Sequence, residues 1–393
     1  MEEWKEYKLG DILNFRRGHD LPHSEMKGGV IPVAGSNGVI GYHDVATPIS
    51  PCITIGRSGN VGTPYIYEKC WAHNTVLYVD DFKGNYPLYL YYLLKTLPLA
   101  SFGGGSAVPT LNRNHIHPLI VRHIPNIEIQ KNVVSILKSL DDKIEVNRRI
   151  NKNLEQQAQA LFKSWFVDFE PFKDGEFVES ELGMIPKGWR VMSLNEVCIK
   201  ITDGSHYSPK DNPLGTIPML SVKDMMHNVF DYSSCKKIDE EEFLKMKAND
   251  CVPLKNDILV AKDGSYLKEI FICNEEIKQA LLSSIAIFRP NSQVIYPELM
   301  LQMLRLPRVK KDVGDNYVSG SALPRIVLKD FKKYSCVVAP IEIQNKLIGI
   351  MHSINECIHN NEQESRRLAS LRDTLLPRLM SGELTINDIG DSL

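Results

Sequence analysis

Asp263 stands ahead of Glu276 and Lys278, two carboxylates and a lysine with loosely the make-up of a metal-dependent nuclease centre. Carboxylates and lysines are so common that chance explains this grouping better. His115 and His117 could ligate a metal, but no third ligand stands near them, and a polar strand or loop is the simpler reading. The eight cysteines form no CxxC pair, which argues against zinc and fits free thiols in a reducing cytosol. "DNPLG" (Asp211 to Gly215) fails the Asn/Asp-Pro-Pro-aromatic pattern that an adenine methyltransferase uses to hold its flipped base. "FGGGS" (Phe102 to Ser106) resembles a cofactor glycine loop but reads better as a turn. The GxxxxGK[ST] loop that cradles ATP phosphates is absent. The residues therefore support no catalytic centre and no cofactor held by this chain.

What remains is residues able to touch bases and phosphates. Side chains with paired donors and acceptors read bases, and Arg, Lys, Ser and Thr hold phosphates. The strongest candidates sit in glycine-rich turns. In the first half of the chain these are Ser36 and Asn37 in "GSNG", Arg57, Ser58 and Asn60 in "GRSGN", and Ser106, Arg113 and Asn114 around "GSAVPTLNRN". In the second they are Asp203, Ser205 and His206 in "TDGSH", Lys262 and Ser265 in "AKDGS", and Ser321, Arg325 and Lys329 in "GSALPRIVLK". Arg305, Arg308, Lys310 and Lys311 read as one compact basic cluster suited to phosphate. A polar surface turn is the plain alternative for each residue, and the reading rests on the loops as sets.

These loops recur because the chain repeats itself. "WKEYKLGDI" from Trp4 matches "WRVMSLNEV" from Trp189, and "IGRSGNVG" from Ile55 resembles "VAKDGSYL" from Val260. "YPLYLYYLL" from Tyr86 matches "YPELMLQML" from Tyr296, and "GSAVPTL" from Gly105 matches "GSALPRI" from Gly320. "IEIQ" stands at both Ile127 and Ile341, shortly after Pro125 and Pro340. The order is the same in both halves. Each half reads as strands and turns with a short helix, followed by a long helix. "CITIG", "NTVLYV", "DILVA" and "SSIAIF" are the strands; the two Tyr-Pro segments are the short helices.

The long helices show a heptad seam. In the first it runs through Val133, Leu137, Leu140, Ile144, Asn147, Asn151, Leu154, Ala158, Leu161 and Trp165. Its counterpart runs from Leu347 through Met351, Ile354, Ile358, Asn361, Ser365, Leu368, Arg372 and Leu375 to Leu379. Both seams are apolar at the ends and polar in the middle. A helix of about 37 residues is about 55 Å long. Pro171 ends the first, and Gly382 in "SGEL" suits the end of the second. Each stripe could pack on its own globular unit. The matched polar break favours pairing the stripes with each other, antiparallel, with Asn147 and Asn361 setting register. The fold class expected is α+β: two pseudo-symmetric mixed α/β domains separated by a long antiparallel two-helix coiled coil. Such a spacer would span about 16 base pairs at about 3.4 Å each.

The chain resembles the specificity (S) subunit of a type I restriction-modification enzyme, over nearly its whole length. "SWFVDFEPF" (Ser164 to Phe172) and "LRDTLLPRLMSGEL" (Leu371 to Leu384), at the helix ends, carry the resemblance most strongly. "GWRVMSLNEV" and "GSAVPTLNR" add to it. The resemblance implies target recognition domains at 1–125 and 189–340, helical spacer regions at 126–170 and 341–384, a linker at 171–188 and a tail at 385–393. It implies double-stranded DNA with a split, asymmetric target as the ligand. Two methyltransferase subunits, and restriction subunits through them, would be the partners. S-adenosylmethionine, ATP and Mg would serve those subunits, and no catalysis is expected in this one.

Composition bounds the reading. With 43% hydrophobic and 24% charged residues the chain is globular, and no run of about 18 apolar residues suggests a membrane span. The charged N-terminus lacks a signal peptide's apolar stretch, so a cytoplasmic location is expected. Residues 1–125 hold 11 basic and 10 acidic side chains, and residues 189–340 hold 21 and 19. Heads so nearly neutral should bind DNA weakly without partner subunits. A protein-binding adaptor on a coiled coil is the alternative.

Overall fold

Alternating strands broken by glycine turns set the fold twice over in the computed structural model, which describes residues 4–26, 28–104, 109–276, 278–320 and 322–385. The chain divides into two compact units, residues 1–145 with 366–393, and residues 146–365. Each holds one globular domain and part of each long helix.

In the first unit a four-stranded antiparallel sheet runs in the order Asn14–Arg17, Val76–Asp81, Cys52–Gly56, Pro64–Tyr67. Its Cys52–Gly56 strand is buried along its whole length, which is why "CITIG" shows no polar alternation. A second sheet orders Gly38–His43, Ile31–Gly35 and Trp71–Ala72. Lys5–Lys8 pairs antiparallel with Ile120–His123, bringing the two ends of the domain together. The helix Pro87–Thr96 covers the core with Tyr89, Leu90, Leu93 and Leu94.

The second unit repeats this plan. Its four-stranded sheet runs Cys198–Asp203, Ile285–Pro290, Ile258–Ala261, Ile270–Ile272, and its three-stranded sheet orders Lys236–Ile238, Ile217–Leu220 and Ala280–Leu281. Arg190–Ser193 closes on Ser335–Val338, and the helix Pro297–Leu304 takes the place of Pro87–Thr96. The insertions that lengthen this copy form Met225–Met226 paired with Val229–Phe230, the helix Glu240–Ala248 and the helix Pro307–Asn316.

The long helices run over Ile127–Phe166 and Ile341–Ser381. The second accommodates Gly349 and Pro377; the proline sits in its final turns. It ends at Gly382, whose φ of +72° is a left-handed cap, with Leu384 N–H donating back to Arg378 O at 3.1 Å. A Cβ at Gly382 would run into the Trp4 indole, so glycine is required twice over. Trp189, the repeat partner of Trp4, packs on Phe166, Phe169 and Phe172 after the central helix. Residues 177–186, within the segment expected to be a linker, form the hairpin Phe177–Ser180 with Gly183–Pro186.

Both readings of the apolar stripes hold in part. In the first unit Val133, Val134 and Leu137 share the domain core with Leu376, Leu379 and Met380. Arg372, a charged residue at a seam position, is held by Asp141 at 2.6 Å, which also accepts from the Tyr92 hydroxyl at 2.6 Å. In the second unit Ala158, Phe162 and Phe166 join the domain core beside Leu347 and Met351. There the polar layer is explicit. Asn147 and Asn151 are buried. Asn147 Nδ2 donates to Glu364 at 2.7 Å; Asn151 Nδ2 donates to Glu362 at 2.8 Å, and Asn151 Oδ1 accepts from Asn361 Nδ2 at 2.8 Å. Partners descend in number as the central helix ascends, so the two helices run antiparallel in this unit.

Candidate nucleic-acid interface

The turns singled out in the sequence converge within each domain, and backbone hydrogen bonds are what gather them. In the first, Leu111 N–H donates to Arg57 O at 2.7 Å and Gly59 N–H to Pro109 O at 3.2 Å. This ties "GRSGN" to the segment carrying Arg113 and Asn114. Ser36 Oγ lies 3.8 Å from where a Gly59 Cβ would stand, so "GSNG" joins them. Asn37, Asn60, Arg113 and Asn114 are exposed; Ser36, Arg57 and Ser58 are half-buried. Ser106 and Ser321 lie outside the described residues.

Between these turns lies a groove lined by Arg16, Arg17, Arg57, Thr110, Asn112 and Arg113. Arg57 Nη1 donates to Asn74 O at 3.3 Å and Arg113 Nη1 to Phe15 O at 3.1 Å, which anchors each guanidinium by one nitrogen. Among the described residues no carboxylate lines the groove. Arg16, Arg17 and Asn112 escape a reading based on loops because they are not flanked by glycine turns on both sides. The signal is the pair "RR" directly before Gly18. His117, weighed above as a metal ligand, accepts from Phe15 N–H at 3.1 Å under the same strand, and burial lowers its pKa.

The second domain gathers its turns by the same bonds. Ile326 N–H donates to Lys262 O at 3.0 Å, and Gly264 N–H to Pro324 O at 2.8 Å. The charges differ. Lys262, expected to be free for phosphate, has a side chain only 6% exposed and is paired with Asp203. Its ammonium cannot be left unpaired at that burial, so it serves the interior of the domain. Asp203 also meets His206 at 3.3 Å, and Arg325 is paired with Asp263 at 3.1 Å. Ser205 donates to Tyr207 O at 2.7 Å, shaping its own turn. Ser265 and Lys329 are exposed.

The basic cluster expected at 305–311 does not exist as one. Arg305 is turned inward, donating to Ile270 O at 2.6 Å, bonding Asn228 and meeting Glu155 at 3.5 Å. Glu155 also accepts from Asn228 at 2.7 Å and pairs with His227 at 3.0 Å. Burial would raise the Glu155 pKa, but these hydrogen bonds and the Arg305 charge bring it below the usual value. The desolvated guanidinium joins the central helix to its domain instead of reaching DNA. Arg308 faces a separate groove with Phe166, Met184 and Tyr334, and Lys310 and Lys311 are exposed on the same helix.

The doubled "IEIQ" has a structural reason that its letters do not disclose. Gln130 is fully buried: its Oε1 accepts from Tyr86 N–H at 2.8 Å, and its Nε2 donates to Ile124 O at 2.8 Å. Gln344, 1% exposed, does the same with Tyr296 N–H at 3.2 Å and Ala339 O at 2.9 Å. One amide thus fastens the first turn of each long helix to the uncapped start of the short Tyr-Pro helix, whose N–H groups need a partner. Among the described residues no cluster of metal-ligating side chains is present, and no helix is long and apolar enough to cross a membrane.

Comparison with known proteins gives one consistent family. The model of the type I restriction modification DNA specificity domain matches residues 1–156 and 186–369. The chain is 30% identical over 313 residues to the type I restriction enzyme MjaIX specificity subunit of Methanocaldococcus jannaschii, covering 77% of this chain and 70% of that one. It is 25% identical over 342 residues to the HindI specificity subunit of Haemophilus influenzae, covering 67% and 68%. Among solved structures, the type I S subunit from M. genitalium aligns over 96% of each chain with a TM-score of 0.60 at 15% identity, a likeness of fold.

Proposed function

The chain belongs to the type I restriction-modification DNA specificity family, and from that premise we propose that it is the subunit that selects the DNA sequence on which such an enzyme acts. The observation that carries this reading is the duplicated domain whose converging polar turns keep one backbone plan and differ in charge. A repeated reader with altered side chains suits a target in two unlike halves. Each domain would bind one half of a split, asymmetric site, with Asn37, Arg57, Asn60, Arg113 and Asn114 in the first and His206, Ser265, Arg325 and Lys329 in the second facing DNA. The adaptor alternative is not favoured by a family of DNA specificity subunits.

The finer reading concerns spacing and assembly. The two long helices would set the distance between half-sites, with Asn147 and Asn361 fixing their register through the polar layer. They would also dock two methyltransferase subunits, and through these the restriction subunits. Members of this family leave the chemistry to those partners, so S-adenosylmethionine, ATP and Mg would be bound there.

The test is selection from random duplexes by the full chain assembled with its methyltransferase partner. Recovery of one bipartite motif with a fixed gap supports the reading; recovery of no split motif sinks it. Seven residues inserted at matched places in both helices keep the seam and add about 10 Å to each. The two halves should then stay the same while the gap lengthens.

A further inference from the structure

The first domain's groove carries more positive charge than base reading needs. Arg16, Arg17, Arg57 and Arg113 surround one concavity, with Thr110 and Asn112 between them. Arg17 has Asp20 at 3.3 Å, but both side chains of that pair are exposed and Asp20 does not line the groove. Arg16, Arg57 and Arg113 form no ion pair among the described residues. A guanine edge offers two acceptors, O6 and N7, and a single arginine satisfies both. Several guanidiniums facing one space repel each other unless an anion sits among them. The oxygens of one phosphodiester accept from more than one arginine at once.

The second domain shows the same place closed. Gly18 and Gly204 align the two copies, since a Cβ on either would clash with the backbone carbonyl of His73 or of Leu281. On that alignment Asp203 stands for Arg17, Lys262 for Arg57, Asp263 for Ser58 and Arg325 for Thr110. The bridge between Ser58 and Thr110 recurs as the bridge between Asp263 and Arg325. Two ion pairs, Asp203 with the buried Lys262 and Asp263 with the exposed Arg325, stand where the first domain has open arginines.

We propose that the arginine groove of the first domain is a phosphodiester-binding site that the second domain lacks, so that the first half-site anchors the duplex electrostatically. This rests on the reading of the chain as a DNA specificity subunit and deepens it. The anchoring domain supplies a sequence-independent, salt-sensitive share of affinity, and the second domain discriminates without an equal electrostatic share from this position.

The test is a salt titration of binding by the full chain assembled with its methyltransferase partner. The probes are a duplex carrying the selected motif and a scrambled duplex. Arg57→Gln and Arg113→Gln should each weaken both duplexes about tenfold and flatten the slope of log K against log salt by about 0.9 for each phosphate no longer neutralised. Arg16→Gln, at an exposed position, repeats the measurement in a variant with little consequence for folding. A duplex with neutral methylphosphonates in the first half-site should erase the difference between wild type and variant. Lys262→Gln should leave the slope unchanged.

An unchanged slope in Arg57→Gln, Arg113→Gln and Arg16→Gln overturns the proposal. So does a loss of discrimination confined to one base pair, which would make the arginines base readers. If wild-type protein selects no split motif, the specificity reading itself fails. A motif-selecting complex with unchanged slopes fails only this inference.

Discussion

Arg57 and Arg305 are the same residue type used in opposite ways. Arg57 has one guanidinium nitrogen held by a carbonyl and lines a groove with no carboxylate among the described residues. Arg305 is enclosed by Glu155, Asn228 and Ile270 O. The contrast extends to the two domains. The first keeps the groove arginines open; the second uses two cations internally, Lys262 on Asp203 and Arg289 on Asp257 at 2.8 Å. Near-equal net charge therefore hides unequal electrostatics. Net charge counts side chains, whereas counterion release depends on those that reach phosphate.

The largest effect that would sharpen this contrast is on folding. Arg305→Ala takes one of three partners from the half-buried Glu155 and leaves Asn228 and the Ile270 carbonyl without its bonds, and should cost about 3 kcal/mol. Thermal or denaturant unfolding would show it. Arg57→Ala should unfold within about 0.5 kcal/mol of wild type while weakening DNA binding. Equal destabilisation by both would break the distinction between inner and outer arginines.

A smaller effect should be the same in both units. Gln130→Ala and Gln344→Ala each strip a half-buried N–H and a buried carbonyl of their partner, at about 1–3 kcal/mol per group. Hydrogen exchange at Tyr86 and Tyr296 would report the loss. If only one of the two amides speeds up, the two glutamine fastenings are not equivalent.

The smallest effects, per unit of pH, should have opposite signs. His123 is buried and its pKa is lowered to about 4 from 6.5. The unfolded chain binds that proton first, so the first unit loses stability as pH falls from 6.5 towards about 4, by at most about 1.4 kcal/mol per pH unit. The His227 pKa is raised by its hydrogen bond to Glu155. That contribution is fully present below 6.5 and is lost as pH rises through the raised value. Amide exchange followed by unit across this range should show the first weakening on the acid side and the second on the alkaline side. Slopes of one sign in both would contradict the assignment.

Much of this architecture is legible from the repeat. The order of matched segments gives the duplicated strand plan, and the heptad steps give both helices. The role of Gln130 and Gln344 is not legible, because a buried amide in a first turn looks like any polar helix residue. Lys262 and Arg305 mislead for a related reason. Their partners Asp203 and Glu155 are far away in sequence, and only the fold brings the charges together. Arg16 and Arg17 escape because they sit on a strand end and not within a glycine turn. Turn chemistry marks where loops are; it does not mark which strand ends open into them.

The central claim is that each domain reads its own half of the target. Replacing residues 5–123 with the matching domain of a relative and sequencing the methylated bases in cells carrying the complete system tests it most directly. The account predicts a new first half, with the second half and the gap unchanged. A change in both halves, or an unchanged motif, would contradict it.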